Sequence, residues 1–174
     1  GTQKQFYLDN GIPTAPFVFC EASLPLEIPF GFPVVHKLRT GGYDGKGVNI
    51  IQEASQLNTS FIEPSIFEAC IPFTKELSVI VARNEAGRTK CFPLVECEFN
   101  PEANLVEYLF SPAEISTAVE QQAENLAKKT AEALGIVGLL AVEMFLTREG
   151  RVLINEVAPR PHNSGHHTIR ANVT

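Results

Sequence analysis

Residues 138–157 read GLLAVEMFLTREGRVLINEV, and this stretch decides the fold. Gly138 to Leu146 and Arg151 to Val157 are apolar runs, and Thr147-Arg148-Glu149-Gly150 between them is a hairpin connection. Two adjacent antiparallel strands follow. Glu143 in the first falls opposite or diagonal to residues 154–156 of the second, which include Asn155 and Glu156, with the register open by one. Directly paired Cβ atoms lie ~4.5–5.5 Å apart. Two carboxylates that close on apolar strands repel unless a cation bridges them or one keeps its proton. Magnesium suits such a pair, since it takes one or two carboxylates and fills its octahedron with waters and phosphate oxygens. The alternative, two glutamates facing solvent on the outer side of the sheet, stays open at this point.

Working outward, Ser111-Pro112-Ala113-Glu114 has the pattern of a capping box with proline at the first helical position. Ile115, Val119, Gln122, Ala123, Leu126, Thr130, Ala133 and Leu134 continue at helical spacing, and Gly135 is placed to end the helix. Further upstream, Gln3 to Asn10 reads as a short helix stopped at Gly11. Phe17 to Cys20, Pro33 to Lys37, Val48 to Ile51, Ser65 to Cys70, Leu77 to Arg83, Thr89 to Val95 and Leu105 to Phe110 read as strands. Many strands with few, irregularly placed helices predict an α+β fold.

The chain has 174 residues, 44% apolar and 20% charged, which suits one domain or two small lobes sharing a site. Its charge of 14 − 20 = −6 argues against a general nucleic-acid or anionic-membrane binder. The longest uncharged apolar run, Ala133 to Val142, is far short of the ~20 residues that span a bilayer. No basic segment precedes an apolar one at the start, so no signal peptide is expected. Cys20, Cys70, Cys91 and Cys97 form no CxxC pair, so reduced thiols in a cytosolic protein are expected rather than a zinc site.

Two further segments carry candidate chemistry. Between Lys37 and Gly47, four glycines lie within seven residues, and Lys37, Arg39 and Lys46 supply three cations. Glycines can turn backbone N–H groups toward one point, as a polyphosphate requires. A hairpin tip with solvated charges has the same composition. After Asn155-Glu156, the loop Ala158-Pro159-Arg160-Pro161-His162-Asn163-Ser164-Gly165-His166-His167 is dense in donors, and its arginine fork suits carboxylate, carbonate or phosphate. There is no G-x-S-x-G, and no cysteine sits in a cationic setting, so covalent nucleophilic catalysis is not expected.

In this order, the segments resemble the ATP-grasp domain of the 5-(carboxyamino)imidazole ribonucleotide synthases. The likeness runs through Gly11-Ile12-Pro13-Thr14-Ala15-Pro16, Lys37, Gly41-Gly42-Tyr43-Asp44-Gly45-Lys46-Gly47, residues 75–83, and Asn155 to His166. It implies two α+β lobes, approximately 1–70 and 71–174, that grip ATP between them. By the same resemblance, Lys37 and the loop Gly42, Tyr43, Asp44, Gly45, Lys46, Gly47 and Val48 would contact phosphates. Glu68, Ala69, Cys70 and Ile71 would form the adenine hinge, and Glu76 would hold the ribose. Glu143 and Glu156 would carry magnesium with Asn155 beside them. Arg160, His162 and Asn163 would serve the bicarbonate and acceptor end.

The reaction implied is ATP-driven carboxylation of 5-aminoimidazole ribonucleotide by bicarbonate, through carboxyphosphate, in purine biosynthesis. The resemblance also implies flanking N- and C-terminal domains beyond these 174 residues, a homodimer for the full-length protein, and little activity from this segment alone. Where many members of the family have histidine, this chain has Phe99. The readings set against this one are another ATP-grasp ligase or transferase, and a nucleotide-binding module that does no chemistry in isolation.

Overall fold

A computed structural model describes residues 2–21, 27–41, 47–59, 61–100 and 105–169. The hairpin that opened the sequence reading forms one side of the larger of two antiparallel sheets. Its strands are β9 (Gly138–Thr147) and β10 (Val152–Ala158), paired from Val152↔Leu146 to Ala158↔Ala141. Inward from β9 lies β5 (Phe73–Arg83), followed by β7 (Val95–Asn100) and the edge strand β8 (Leu105–Phe110). The short β6 (Thr89–Cys91) pairs with the far end of β5. The smaller sheet has the order β1-β4-β2-β3, from β1 (Phe17–Cys20), β2 (Val34–Leu38), β3 (Val48–Ile51) and β4 (Ser65–Ala69).

Alternation along the strands sorts the two faces of the large sheet. Leu77, Val79 and Val81 of β5, with Leu140, Val142, Met144 and Leu146 of β9, point to one face and are buried under α2 (Thr117–Leu134). The helix presents Ala123, Leu126, Ala127, Thr130 and Ala131, and its three alanines permit close approach to the sheet. Helix α1 (Thr2–Asp9) precedes the small sheet in sequence, yet its Tyr7 and the following Ile12 pack into this same core. The small sheet has its own core of Cys20, Val34, Ile51 and Phe67. The opposite face of the large sheet carries Glu76, Ser78 and Ile80 of β5 beside Glu143 of β9. That face carries the acidic and hydroxyl side chains of these two strands.

Three local expectations are corrected. The helix does not begin at Ser111: Ser116 is the N-cap, its hydroxyl accepting from Val119 N at 3.4 Å. Residues 111–115 are engaged elsewhere, with Ala113 N donating to Leu94 O and Ala113 and Ile115 packed on the core. The expected strand Thr89 to Val95 is two strands, because Pro93 has no N–H for a ladder and residues 92–94 step from β6 to β7. In the helical stripe, Ala127 and Ala131 take buried positions and Ala133 is exposed, being rotated by roughly 200° from Ala131 at 100° per residue. Gly135 does end the helix, with φ 63° and its N–H on Glu132 O.

Candidate active site

Glu143 and Glu156 are register partners. Simple alternation from Val152 and Ile154, both in the core, would send Glu156 into that core as well. A bulge at Asn155 prevents this by shifting the register between Ile154 and Glu156. Glu156 therefore emerges on the face of Glu143, while Val157 returns to the core. The register left open by the sequence is thus settled as direct pairing.

The electrostatics follow from the placement. Burial pushes the Glu143 carboxyl up to about 7; Glu156 and Glu76 add to the rise, and Lys37 and Arg160 oppose it. Burial also pushes Glu76 up to about 7 against the pull of Lys37. A cluster of carboxylates that resists ionising is short of positive charge, and a divalent cation would supply it. Among the described residues, no group of three or more His, Cys, Asp or Glu could hold a metal by itself. Two paired carboxylates suit an ion that draws its remaining ligands from water and phosphate oxygens, as magnesium does.

Lys37 reaches this face from the small sheet. Its Nζ donates to Asn155 Oδ1 at 3.0 Å and lies 3.2 Å from Glu68 Oε2. The same Glu68 oxygen lies 3.2 Å from Lys4 Nζ on α1. Lys4 in turn donates to Thr14 Oγ1 at 2.6 Å, and Thr14 donates to Ile154 O at 2.7 Å. Burial lowers the Lys4 pKa, Glu68 counters, and the charge of Lys37 adds to the lowering. Glu68 Oε1 is buried without a hydrogen-bond partner. Neither Lys4 nor Thr14 was signalled by the sequence, since a lysine on a short polar helix ordinarily faces solvent.

The remaining expected residues fall as follows. Gly42, Tyr43, Asp44, Gly45 and Lys46 lie outside the described residues. Gly47, with φ 78°, accepts at its carbonyl from Leu38 N, and Val48 pairs with Lys37. Glu68 and Ala69 end β4, and Cys70 and Ile71 are half-buried in the step from β4 to β5. Arg160 is exposed and donates to Pro161 O at 3.1 Å. His162 Nδ1 is 3.4 Å from Glu143 Oε1, and exposed Asn163 begins a 3-10 helix, Asn163–Ile169. The structure thus brings Lys37, Glu76, Glu143, Asn155, Glu156, Arg160 and His162 to one region. All four cysteines are free thiols. Among the described residues, no helix is long and apolar enough to cross a membrane.

Residues 5–174 match the family model for the ATP-grasp domain. The chain belongs to the ATP-grasp family. This ATP-grasp domain is 39% identical over 175 residues to N5-carboxyaminoimidazole ribonucleotide synthase of Bacillus subtilis, covering 97% of the chain and 46% of the relative. It is 36% identical to phosphoribosylaminoimidazole carboxylase of Ogataea methanolica, covering 99% and 33%. The crystal structure of the Thermotoga maritima N5-carboxyaminoimidazole ribonucleotide synthetase aligns with a TM-score of 0.83 at 39% identity, over 99% of this chain and 44% of that one. The Aspergillus clavatus enzyme in complex with ADP and 5-aminoimidazole ribonucleotide aligns at 0.80 with 28% identity, over 96% and 45%. The chain spans less than half the length of these relatives.

Proposed function

We propose that this ATP-grasp domain is the nucleotide-binding and carboxylating core of an N5-carboxyaminoimidazole ribonucleotide synthase. The observation that carries the reading is Glu143 paired with Glu156 on one sheet face, with Lys37 brought to it from the other sheet by Asn155. The Bacillus subtilis relative bears that name, the Ogataea methanolica one is a phosphoribosylaminoimidazole carboxylase, and the Aspergillus clavatus enzyme was crystallised with ADP and the aminoimidazole ribonucleotide.

In this reading Lys37 neutralises nucleotide phosphate, assisted by N–H groups of the Gly42–Val48 loop. Glu68 to Ile71 flank the adenine at the step between the sheets, and Glu76 takes the ribose hydroxyls. Glu143 and Glu156, with Asn155 alongside, hold magnesium, which when bound neutralises the charge that develops on the transferred phosphoryl group. Arg160, His162 and Asn163 receive bicarbonate and the acceptor amine. Bicarbonate oxygen attacks the γ-phosphorus and ADP leaves; the amine then takes the carboxyl group, phosphate leaves and the amine gives up a proton. The chain's own task is positioning and charge compensation, without a covalent enzyme intermediate. Four free thiols accord with a reducing, cytosolic compartment, and a homodimeric full-length protein is carried over from the resemblance.

The test is ADP release by the full-length protein, with and without bicarbonate and 5-aminoimidazole ribonucleotide. Release that needs both, with isotope from bicarbonate appearing in the product at one per ADP, is expected. Release indifferent to both would overturn the assignment.

A further inference from the structure

We propose that Ser78 and Ser164 are positioning residues that seat the ring of His162 beside Glu143. The proposal rests on the reading above only for what His162 then does. The seating itself is independent of that reading.

Ser78 lies in the middle of β5 between Leu77 and Val79, is 1% exposed, and is the register partner of Glu143. A hydroxyl buried there costs roughly 1–3 kcal/mol unless it is paired. It is paired: Ser78 Oγ donates to Ser164 Oγ at 2.8 Å, and Ser164 is itself fully buried. Ser164 Oγ lies 2.9 Å from His162 Nδ1. The backbone N–H of Ser164 also points to Nδ1, at 3.4 Å. Glu143 Oε1 lies 3.4 Å from the same Nδ1, so the serine holds the ring nitrogen that faces the carboxylate. The contacts run in one line from Ser78 through Ser164 to the ring.

A second feature presses the same segment onto β5. A Cβ added at Gly165 would lie 3.3 Å from Cδ1 and from Cγ1 of Ile80, two residues along β5 from Ser78. Glycine therefore lets the turn settle at a depth from which Ser164 reaches Ser78. Gly165 N donates to His162 O at 2.9 Å and Thr168 Oγ1 to Gly165 O at 2.7 Å, which closes the turn around the pair. The outcome is a ring fixed 3.4 Å from Glu143 by a side chain that touches neither carboxylate. Ser164 and Gly165 have a task distinct from that of their neighbours Arg160, His162 and Asn163.

The test uses the full-length protein with nitrogen-15-labelled histidine, above pH ~8 where free imidazole is neutral. His162→Asn assigns the His162 signals. Both Ser164→Ala and Ser78→Ala should move the His162 ring-nitrogen signals away from the parent's, because they remove the side-chain contacts that seat the ring, while Ser164→Thr retains the parent pattern. Ser164→Ala should also lower bicarbonate-dependent turnover by about tenfold or more, the scale set by losing a positioned proton-carrying group, with Mg-ADP affinity unchanged. His162 signals identical to the parent's in folded Ser164→Ala and Ser78→Ala proteins would overturn the proposal. Shifted His162 signals with bicarbonate kinetics untouched would support the seating and count instead against the bicarbonate role given to this segment.

Discussion

Lys37 on the small sheet donates to Asn155 on the large one across 3.0 Å, so the two sheets are tied at the bulge that reorients Glu156. The ammonium is held from behind by Glu68, which also holds Lys4. Two cations thus share one buried carboxylate.

Glu68→Gln should therefore be costly. The variant keeps the volume but leaves buried Lys4 and half-buried Lys37 without their counter-ion, and stranding a buried charge in this way typically costs about 3–5 kcal/mol. Urea denaturation measures it directly. A loss below ~1 kcal/mol would mean that Glu68 contributes nothing as a buried counter-ion.

Glu156→Gln should leave the fold intact, because Glu156 is exposed and the exchange preserves its shape. Removing one anionic ligand should weaken Mg-ADP binding by about tenfold, while binding of ADP without the metal changes little. Titration calorimetry with and without magnesium separates the two. Equal Mg-ADP affinity in variant and parent would sink the metal assignment.

His36 predicts a pH dependence. It is fully buried in the small sheet, stacked on Phe67 with centroids 4.0 Å apart, and its Nε2 lies 2.7 Å from Ser65 Oγ. Burial lowers its pKa from 6.5, so the folded chain keeps the ring neutral while the unfolded chain protonates it. Its contribution is present above about pH 6.5 and is lost as the pH falls below that value. Replacing both partners, as His36→Phe with Ser65→Ala, should flatten the fall in denaturant-derived stability between roughly pH 6.5 and 5. Parallel pH profiles for parent and double variant would contradict this.

The start of α2 supplies a paired comparison. Ser116→Ala removes the N-cap acceptor for Val119 N and should cost about 1 kcal/mol. Ser111→Ala removes no cap and should stay within about 0.5 kcal/mol. Thermal denaturation of the two variants decides which serine caps the helix.

The sequence by itself determined most of the strands, the hairpin, the place of α2 and its glycine stop, because period-two and helical spacing are local properties of the chain. It also brought forward Lys37, Glu143, Asn155, Glu156, Arg160 and His162, whose residue types are uncommon in otherwise apolar or loop settings. What it left open had non-local causes. The local pattern placed the cap at Ser111, and the structure moves it to Ser116 because Ala113 is bound to Leu94, nineteen residues upstream. Lys4, on a short polar helix, is buried only because Glu68 arrives from another sheet to neutralise it. Strict alternation would have put Glu156 in the core with Ile154. Only the tertiary structure decided otherwise: Asn155 is bulged from the ladder and held by Lys37, and that extra residue turns a carboxylate from an apolar interior, where its charge is untenable, to the face where Glu143 waits.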